Sequence, residues 1–370
     1  MKMDRIDLNN LDKSTWTTYR FDQIASSISE RVDPTNTDLK HYIGLEHIDS
    51  ENIHITRMGA PTEVSGQKLR CYPGDVIFGR RRAYQRKAAV CEVDGFCSAH
   101  SLVLRANPEI IDPKLFPFFL HSDTFMHRAV DISVGSLSPT INWGALKKQE
   151  FLLPPKEQQV QLVGILWGMD EVVAKDRQLL NSITKANSIV ITNEIKNLQT
   201  NYENTALCEL VELRTGKLDS NAAIENGKFH FFTCAPETLR IDTYSFDCEA
   251  ILLAGNNAAG VYPLKHYKGK FDAYQRTYVI TIKDDVGLNY RYLLEVIRSQ
   301  LGLLQRHSVG SSTKFLTMGV LKKMKIPVPT ETDQKIMVKK VEAFSNSISK
   351  TNTALSAGIS MQKSLINQVF

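Results

Sequence analysis

The chain has 370 residues, 42% hydrophobic and 23% charged, with 45 Lys and Arg against 40 Asp and Glu for a net charge of +5. This composition excludes a disordered chain, a collagen-like fibre and a small disulfide scaffold, and the length suits two or three domains of ~100–200 residues. No apolar run reaches the ~18 residues of a membrane span, and residues 1–12 lack the apolar stretch of a secretory signal.

In chain order, short runs bounded by Gly, Pro or Asp read as strands at Asp75–Phe78 and Ser101–Leu104. Helical periodicity follows over Pro113–Val130, then a Gly-Ser segment, then a strand at Phe151–Leu153 closed by Pro154. A long amphipathic helix is expected over Lys156–Asn197. Its seam places Leu162, Met169, Ile183 and Val190 on a seven-residue spacing, interrupted at Asp176, with Leu166, Val173 and Leu180 as the companion row. The second half gives the same series. Strands are expected at Ala250–Leu253 and Thr277–Ile282, a helix over Leu288–Leu304, a second Gly-Ser segment, and a strand ending at Pro329. A second long helix, Thr332–Val369, carries Val341, Ile348, Leu355 and Val369 in one row, with Met337, Phe344 and Leu365 beside them.

The two series are one module repeated. A shift of 175 lays Gly135-Ser136 on Gly310-Ser311, Gly144 on Gly319, Leu146-Lys147-Lys148 on Leu321-Lys322-Lys323, Pro154 on Pro329 and Gln159 on Gln334. That period is far too long for a solenoid. Equivalent modules tend to pack about a two-fold axis. The expected fold is therefore α+β: two globular mixed α/β domains separated by a two-helix antiparallel coiled coil, with an internal pseudo-two-fold repeat. The expected boundaries are 1–155, a spacer helix at 156–198, 199–330, and a second spacer helix at 331–370.

Positive charge collects in three places. Val76–Cys91 holds no acid but contains Arg80, Arg81, Arg82, Arg86 and Lys87, with Tyr84 among them. Val296–Thr330 again lacks acids and contains Arg298, Arg306, Lys314, Lys322, Lys323 and Lys325. The third cluster is Lys265, Lys268, Lys270 and Arg276, interleaved with His266, Tyr267, Tyr274 and Gln275. Arginine forks suit guanine edges and lysines suit phosphates, so DNA is the expected partner. The candidate contacts are Arg80, Arg81, Arg82, Tyr84, Arg86 and Lys87 in the first module. In the second they are Asn256, Asn257, Lys265, Lys268, Lys270, Gln275, Arg276 and Lys314.

Catalytic patterns are missing. Gly74–Gly79 has the glycine spacing of a phosphate loop without the Lys-Ser/Thr that holds phosphate and magnesium. The nine histidines show no zinc-ligand spacing, there is no G-x-S-x-G, and no Asn-Pro-Pro-Tyr-type methyltransferase motif is present. Asp33, Asp38 and Lys40 sit too close together for a metal nuclease. The six cysteines form no C-x-x-C pair and read as reduced thiols of a cytosolic protein. Two other readings remain, a non-DNA adaptor on a coiled coil and a nuclease or methyltransferase with an unrecognised active site. Steep salt dependence of binding separates DNA reading from the first. Activity assays of the isolated chain separate it from the second.

The layout resembles the specificity (S) subunit of type I restriction–modification systems over nearly the whole chain. The segments that carry the resemblance are Tyr42-Ile43-Gly44-Leu45-Glu46, Gly74-Asp75-Val76-Ile77-Phe78, Leu153-Pro154-Pro155-Lys156-Glu157-Gln158-Gln159 and Ile251-Leu252-Leu253-Ala254-Gly255-Asn256. Pro329-Thr330-Glu331-Thr332-Asp333-Gln334 departs from the pattern, which bears on symmetric docking of partners. The resemblance implies two target-recognition domains that read the halves of a split, asymmetric double-stranded DNA site. It implies two methyltransferase (M) subunits as partners, with restriction (R) subunits added for cleavage, and no membrane. It also implies no catalysis and no cofactor in this chain, with S-adenosylmethionine, ATP and magnesium held by the partner subunits.

Overall fold

The seven-residue apolar spacing is realised in the computed structural model as two long helices, Lys156–Asn201 and Glu331–Val369. The structure describes Leu8 and residues 11–257, 260–311 and 313–370. Residues 1–7 and 9–10, most of the segment read for a secretory signal, lie outside the described residues. The chain forms two compact units, Met1–Arg177 with Thr353–Phe370, and Gln178–Asn352. No helix among the described residues is long and apolar enough to cross a membrane.

The first unit holds two four-stranded sheets. One runs Ala25–Ile28, Ser101–Ala106, Val76–Gly79, Ala88–Val90, antiparallel throughout. The other runs Arg31–Val32, Lys68–Cys71, Gly95–Cys97, His41–Ile43, with its last pair parallel. Asp75 is not part of the expected strand, because its carboxylate accepts from the Tyr72 amide and pairs with Arg105. The expected helix over 113–130 is two helices, Phe116–His121 and Asp123–Asp131. Ser122 leaves helical geometry between them, and its hydroxyl accepts from the Phe125 amide as the cap of the second helix. Phe21, Phe116, Phe119, Phe125 and Phe151 fill the main core, together with Leu162 and Leu166 of the first long helix and Ile366 and Val369 of the second. Cys71, Cys91 and Cys97 lie in a smaller core, and all six cysteines are free thiols.

The second unit has one six-stranded sheet, ordered Val211–Thr215, Thr277–Ile282, Phe246–Ala254, Leu264–Ala273, Phe229–Phe232, Leu239–Ile241. The pair Phe246–Ala254 and Leu264–Ala273 is antiparallel and places Ile251 opposite His266. The expected helix over 288–304 breaks at Gln300 into Tyr290–Ser299 and Leu301–Arg306. Ile251, Leu253, Tyr278, Ile280, Tyr292 and Leu293 build its main core.

Each unit joins its body to a long helix through one buried glutamine. Gln159 accepts from the Asp112 amide and donates to the Ile110 and Pro154 carbonyls at 2.9 and 2.8 Å. Gln334 accepts from the Asn289 amide and donates to the Gly287 and Pro329 carbonyls at 2.8 and 3.0 Å. A short ribbon adjoins each: Thr17–Arg20 with Glu150–Leu153, and Asn204–Ala206 with Lys325–Pro327. The bonds to the Pro154 and Pro329 carbonyls are buried, so the glutamine satisfies a group that would otherwise be buried unpaired.

Within each unit the helix segments run antiparallel. In the first, Asp170 meets Gln362, and Val173 lies against Gly358. In the second, Glu194 pairs with Lys340, and Tyr202 donates to Asp333. Leu162, Leu166, Val173 and Leu355 are buried, Leu162 and Leu166 in the main core of the first unit. Met169, Leu180, Ile183, Val341, Phe344, Ile348 and Leu365 are half-buried. Val190 is a correction: it is exposed, and Ile191, Ile195 and Leu198 take the inner face there. A helix of 3.6 residues per turn drifts ~20° per heptad against a strict seven-residue count. Four heptads beyond Leu162, the inner face has moved on by one residue.

Candidate nucleic-acid interface

The first basic segment begins where the buried strand Val76–Gly79 leaves its sheet. Its backbone stays paired. The Arg80 amide donates to the His100 carbonyl and the Ile141 amide to that of Arg80, Arg81 bridges to Thr140, and the Arg82 amide donates to the Pro139 carbonyl at 2.8 Å. The facing segment folds back on itself through a Val134–Thr140 bridge, with Gly135 at φ 112°. Arg82 (φ 54°) then turns left-handed, Ala83–Gln85 makes one tight turn with Ala83 in the core, and Arg86 (φ 51°) turns left-handed again. Left-handed backbone costs a non-glycine residue roughly 1–2 kcal/mol, so the surrounding contacts must hold this shape.

Arg81, Arg82 and Tyr84 project outward. Arg81 Nη1 lies 3.3 Å from His100 Nε2, and Arg80 donates to Asn142 at 3.4 Å. The Arg82 guanidinium has no hydrogen bond or ion pair among the described residues. Burial, then the charges of Arg81 and Arg80, hold His100 below its ordinary value, so it adds a neutral ring to a cationic edge. No carboxylate pairs with Arg80, Arg81 or Arg82 among the described residues. His100, Asn142 and the turn around Ser136 escaped the sequence reading as site residues. The repeated Gly-Ser pair was the available signal.

Arg86 and Lys87 point the other way. Arg86 donates to Asp123 Oδ1 at 2.6 Å and to the His121 carbonyl, and its Nε lies 3.3 Å from Glu51 Oε1. Burial pushes the Asp123 carboxyl up, but the Arg86 hydrogen bond and charge outweigh it and hold the group below its ordinary value. Lys87 donates to the Leu45 carbonyl at 2.6 Å. Both cations are therefore committed inside the first unit, contrary to the expectation that they face a ligand. Their acceptors come from distant segments, so counting acids near them in sequence could not reveal the pairing.

The second unit repeats the strand-end device at the same offset of 175. Strand Phe246–Ala254 ends, Asn256–Asn257 continues from it, and this pairs with Lys314–Phe315. Asn256 faces Phe315 as Arg81 faces Thr140. Val309 bridges Phe315 as Val134 bridges Thr140, and Gly310 has φ 107°. Gly255 is required at the junction, because a Cβ there would sit 2.4 Å from the Arg276 carbonyl oxygen. Arg276 lies over the Phe315 ring at 5.1 Å, and Lys314 donates to the Gly310 carbonyl. Asn256, Asn257, Arg276 and Lys314 are thus brought together, and the Asn256 Oδ1 is buried without a partner.

The other candidates of this unit are spread out. Gln275 donates to Asp219 at 2.7 Å. Along strand Leu264–Ala273 alternate residues take opposite faces. Lys268 and Lys270 share one face, where Lys268 pairs with Glu249 and Lys270 covers the Tyr244 ring at 4.5 Å. Lys265 is on the other face and donates to the Ala235 and Glu237 carbonyls and to Thr238. Burial lowers its pKa, and its three acceptors occupy the ammonium, so Lys265 is structural rather than outward-facing as expected.

Comparison with known proteins gives these edges a context. Residues 199–360 match the type I restriction modification DNA specificity domain. The type I restriction enzyme EcoDI specificity subunit of Escherichia coli is 33% identical over 158 residues, 43% of this chain and only 34% of that protein's length. The crystal structure of a type I restriction-modification system S subunit from M. genitalium superposes with a TM-score of 0.61 at 14% identity, covering 98% of each chain. A chain from a structure addressing complex assembly and conformational transition of the type I R-M system gives 0.59 at 18% identity, covering 96% of each. At those identities the likeness is one of fold, and it runs nearly end to end.

Proposed function

We propose that this chain, which carries the type I specificity domain over residues 199–360, is the DNA-reading subunit of a type I restriction–modification complex. Residues 1–155 and 199–330 serve as target-recognition domains for the two halves of a split site, and 156–198 and 331–370 as the helices that join them. The observation that carries the reading is one device used twice with different side chains. A strand end pairs with a glycine-turned loop and exposes Arg81 and Arg82 in one unit, and places half-buried Asn256 and Asn257 at the same offset in the other.

Those residue types suit base edges in the major groove. An arginine fork fits guanine O6 and N7, and an asparagine fits adenine N6 and N7. Exposed Lys268 and Lys270 suit phosphates, which fix register and orientation without reading sequence. The chain itself makes or breaks no bond. Methyl transfer to DNA belongs to two methyltransferase subunits docked on it, and cleavage to added restriction subunits. S-adenosylmethionine, ATP and magnesium are bound by those partners.

Mapping methylated adenines in cells that express this chain with its methyltransferase subunit tests the reading. The expected result is a bipartite motif with two defined half-sites. A continuous motif, or no methylation that depends on this chain, overturns it. With the purified complex, binding should weaken steeply as salt rises.

A further inference from the structure

Three non-glycine residues among the described ones have a positive φ: Glu51 at 55°, Arg82 at 54° and Arg86 at 51°. All three belong to one assembly in the first unit. Sparsely populated backbone held by its surroundings clusters where geometry matters for function. The turn carrying Arg82 and Tyr84 is clamped from outside itself. Ser50 Oγ donates to the Gln85 carbonyl at 2.6 Å, and the Glu51 amide donates to the Arg86 carbonyl at 3.1 Å.

Arg86 is the centre of that clamp. Its guanidinium reaches Asp123, the His121 carbonyl and Glu51 at once, and only 15% of its side chain is exposed. Two of its acceptors continue to the end of the second long helix. Glu51 Oε1 accepts from Lys363 Nζ at 2.8 Å. The Asp123 amide donates to Asn367 Oδ1 at 2.8 Å, and Asn367 Nδ2 donates back to Asp123 Oδ2 at 2.7 Å. Thr124 Oγ1 donates to the Phe370 carbonyl at 3.1 Å. Among the described residues the second unit shows no equivalent clamp: the residue 175 on from Arg86 is Val261, which is exposed.

We propose that Arg86 is a positioning residue for recognition: it holds the Arg80–Arg82 edge in its reading geometry and ties that geometry to the last turns of the helix ending at Val369. This rests on the DNA-reading role proposed above. An Arg fork is needed because two acceptors, on Asp123 and His121, and the Glu51 carboxylate lie in different directions around one side chain, which a lysine ammonium on a flexible stem meets less well. Discrimination at the first half-site then depends on Lys363 and Asn367, although neither belongs to the reading edge.

The experiment uses the full chain in complex with its methyltransferase subunit. It measures binding to duplexes altered one base pair at a time in each half-site, at several salt concentrations. Arg86→Gln should lower the preference for the correct first half-site by ~10-fold, the scale of losing one well-placed base contact, and leave second half-site preference and the salt slope unchanged. Arg86→Lys should restore part of the preference. Lys363→Gln with Asn367→Ala should reproduce the loss in smaller measure, and it keeps the test open if Arg86→Gln fails to fold. A uniform loss over all sequences, with the salt slope reduced by about one, would make Arg86 a phosphate contact and overturn the proposal. Unchanged first half-site preference in both the Arg86 and the helix-end variants overturns it as well. If the wild-type complex shows no sequence preference at all, the DNA-reading role itself has failed, and that result is visible before any variant is compared.

Discussion

The two strand-end loops begin alike and are held in different ways. In the first unit the loop runs on from Arg80 through two left-handed arginines, and side chains from Glu51, Asp123 and the second long helix hold it. Both loops have main-chain pairing at the strand end, but among the described residues of the second unit the pairing of Asn256–Asn257 with Lys314–Phe315 is joined by Arg276 laid over Phe315 in place of such a clamp. A ladder of main-chain hydrogen bonds tolerates most side chains. A salt-bridged clamp depends on particular ones. The first loop should therefore be the more sensitive to substitution away from its reading edge, and the second to substitution at Gly255, where only a hydrogen fits against the Arg276 carbonyl.

Exchange of residues 1–155 for the matching body of a type I specificity subunit is the largest test of this comparison. It should replace the first half-site wholly and leave the second as it was. Methylated-adenine mapping reads the result, and a change in both half-sites would show that the two loops do not read independently.

Next come the glutamines that the units share. Leucine at 159 or 334 leaves two carbonyls and one amide without their partner. One carbonyl of each set, Pro154 or Pro329, is bonded in a buried position, and a buried unpaired group costs about 1–3 kcal/mol, so either variant should lose about that much in denaturant unfolding. Equal losses would mean that the device is equivalent in both units. A much smaller loss for Gln334→Leu would mean that water replaces it where Pro-Thr-Glu-Thr-Asp-Gln stands for Pro-Pro-Lys-Glu-Gln-Gln.

At the reading edge itself, Arg81→Ala and Asn257→Ala should each cost ~1–3 kcal/mol of binding and relax one position in the corresponding half-site only. Competition binding against single-base variants of the site checks both. Loss of preference in the opposite half-site would break the pairing of loop with half-site.

The two long helices and the strand Thr277–Ile282 were legible in the sequence, because each is written in residues close together. What was not legible depends on distant partners or on accumulated geometry. Arg86 looks free until Glu51 and Asp123 fold onto it. Val190 keeps the heptad count but not the helix's own period. Lys265 differs from Lys268 and Lys270 by strand alternation alone, which a period of two would have flagged.

The smallest expected effect separates two histidines of the first unit by the sign of their response to pH. His54 Nε2 lies 2.5 Å from Asp170 Oδ2, and Gln362 donates to the other carboxylate oxygen. The hydrogen bond to Asp170 raises the His54 pKa above 6.5 against the opposing effect of burial, with Asp170 and Glu92 adding and Arg177 subtracting. Folding therefore favours protonated His54. Its contribution is complete below the unfolded value and is lost as pH rises through the raised one. His121 is fully buried, and burial, with the Arg86 charge, lowers its pKa despite the Ala88 carbonyl 2.7 Å from its Nε2. Folding favours its neutral form, so its contribution is complete above 6.5 and is lost as pH falls toward the lowered value. Melting curves over roughly pH 5–8 should show His54→Gln flattening the alkaline decline and His121→Gln the acid one. His54 is partly exposed, so solvent screening keeps its share small. The expected midpoint shifts lie below the ~2–4 °C that 1 kcal/mol produces in a unit of this size. In the second unit His230 is lowered, by burial first and the Arg240 charge second, so it adds to the acid side alone. An alkaline decline that persists in His54→Gln would move its origin out of the Asp170 contact.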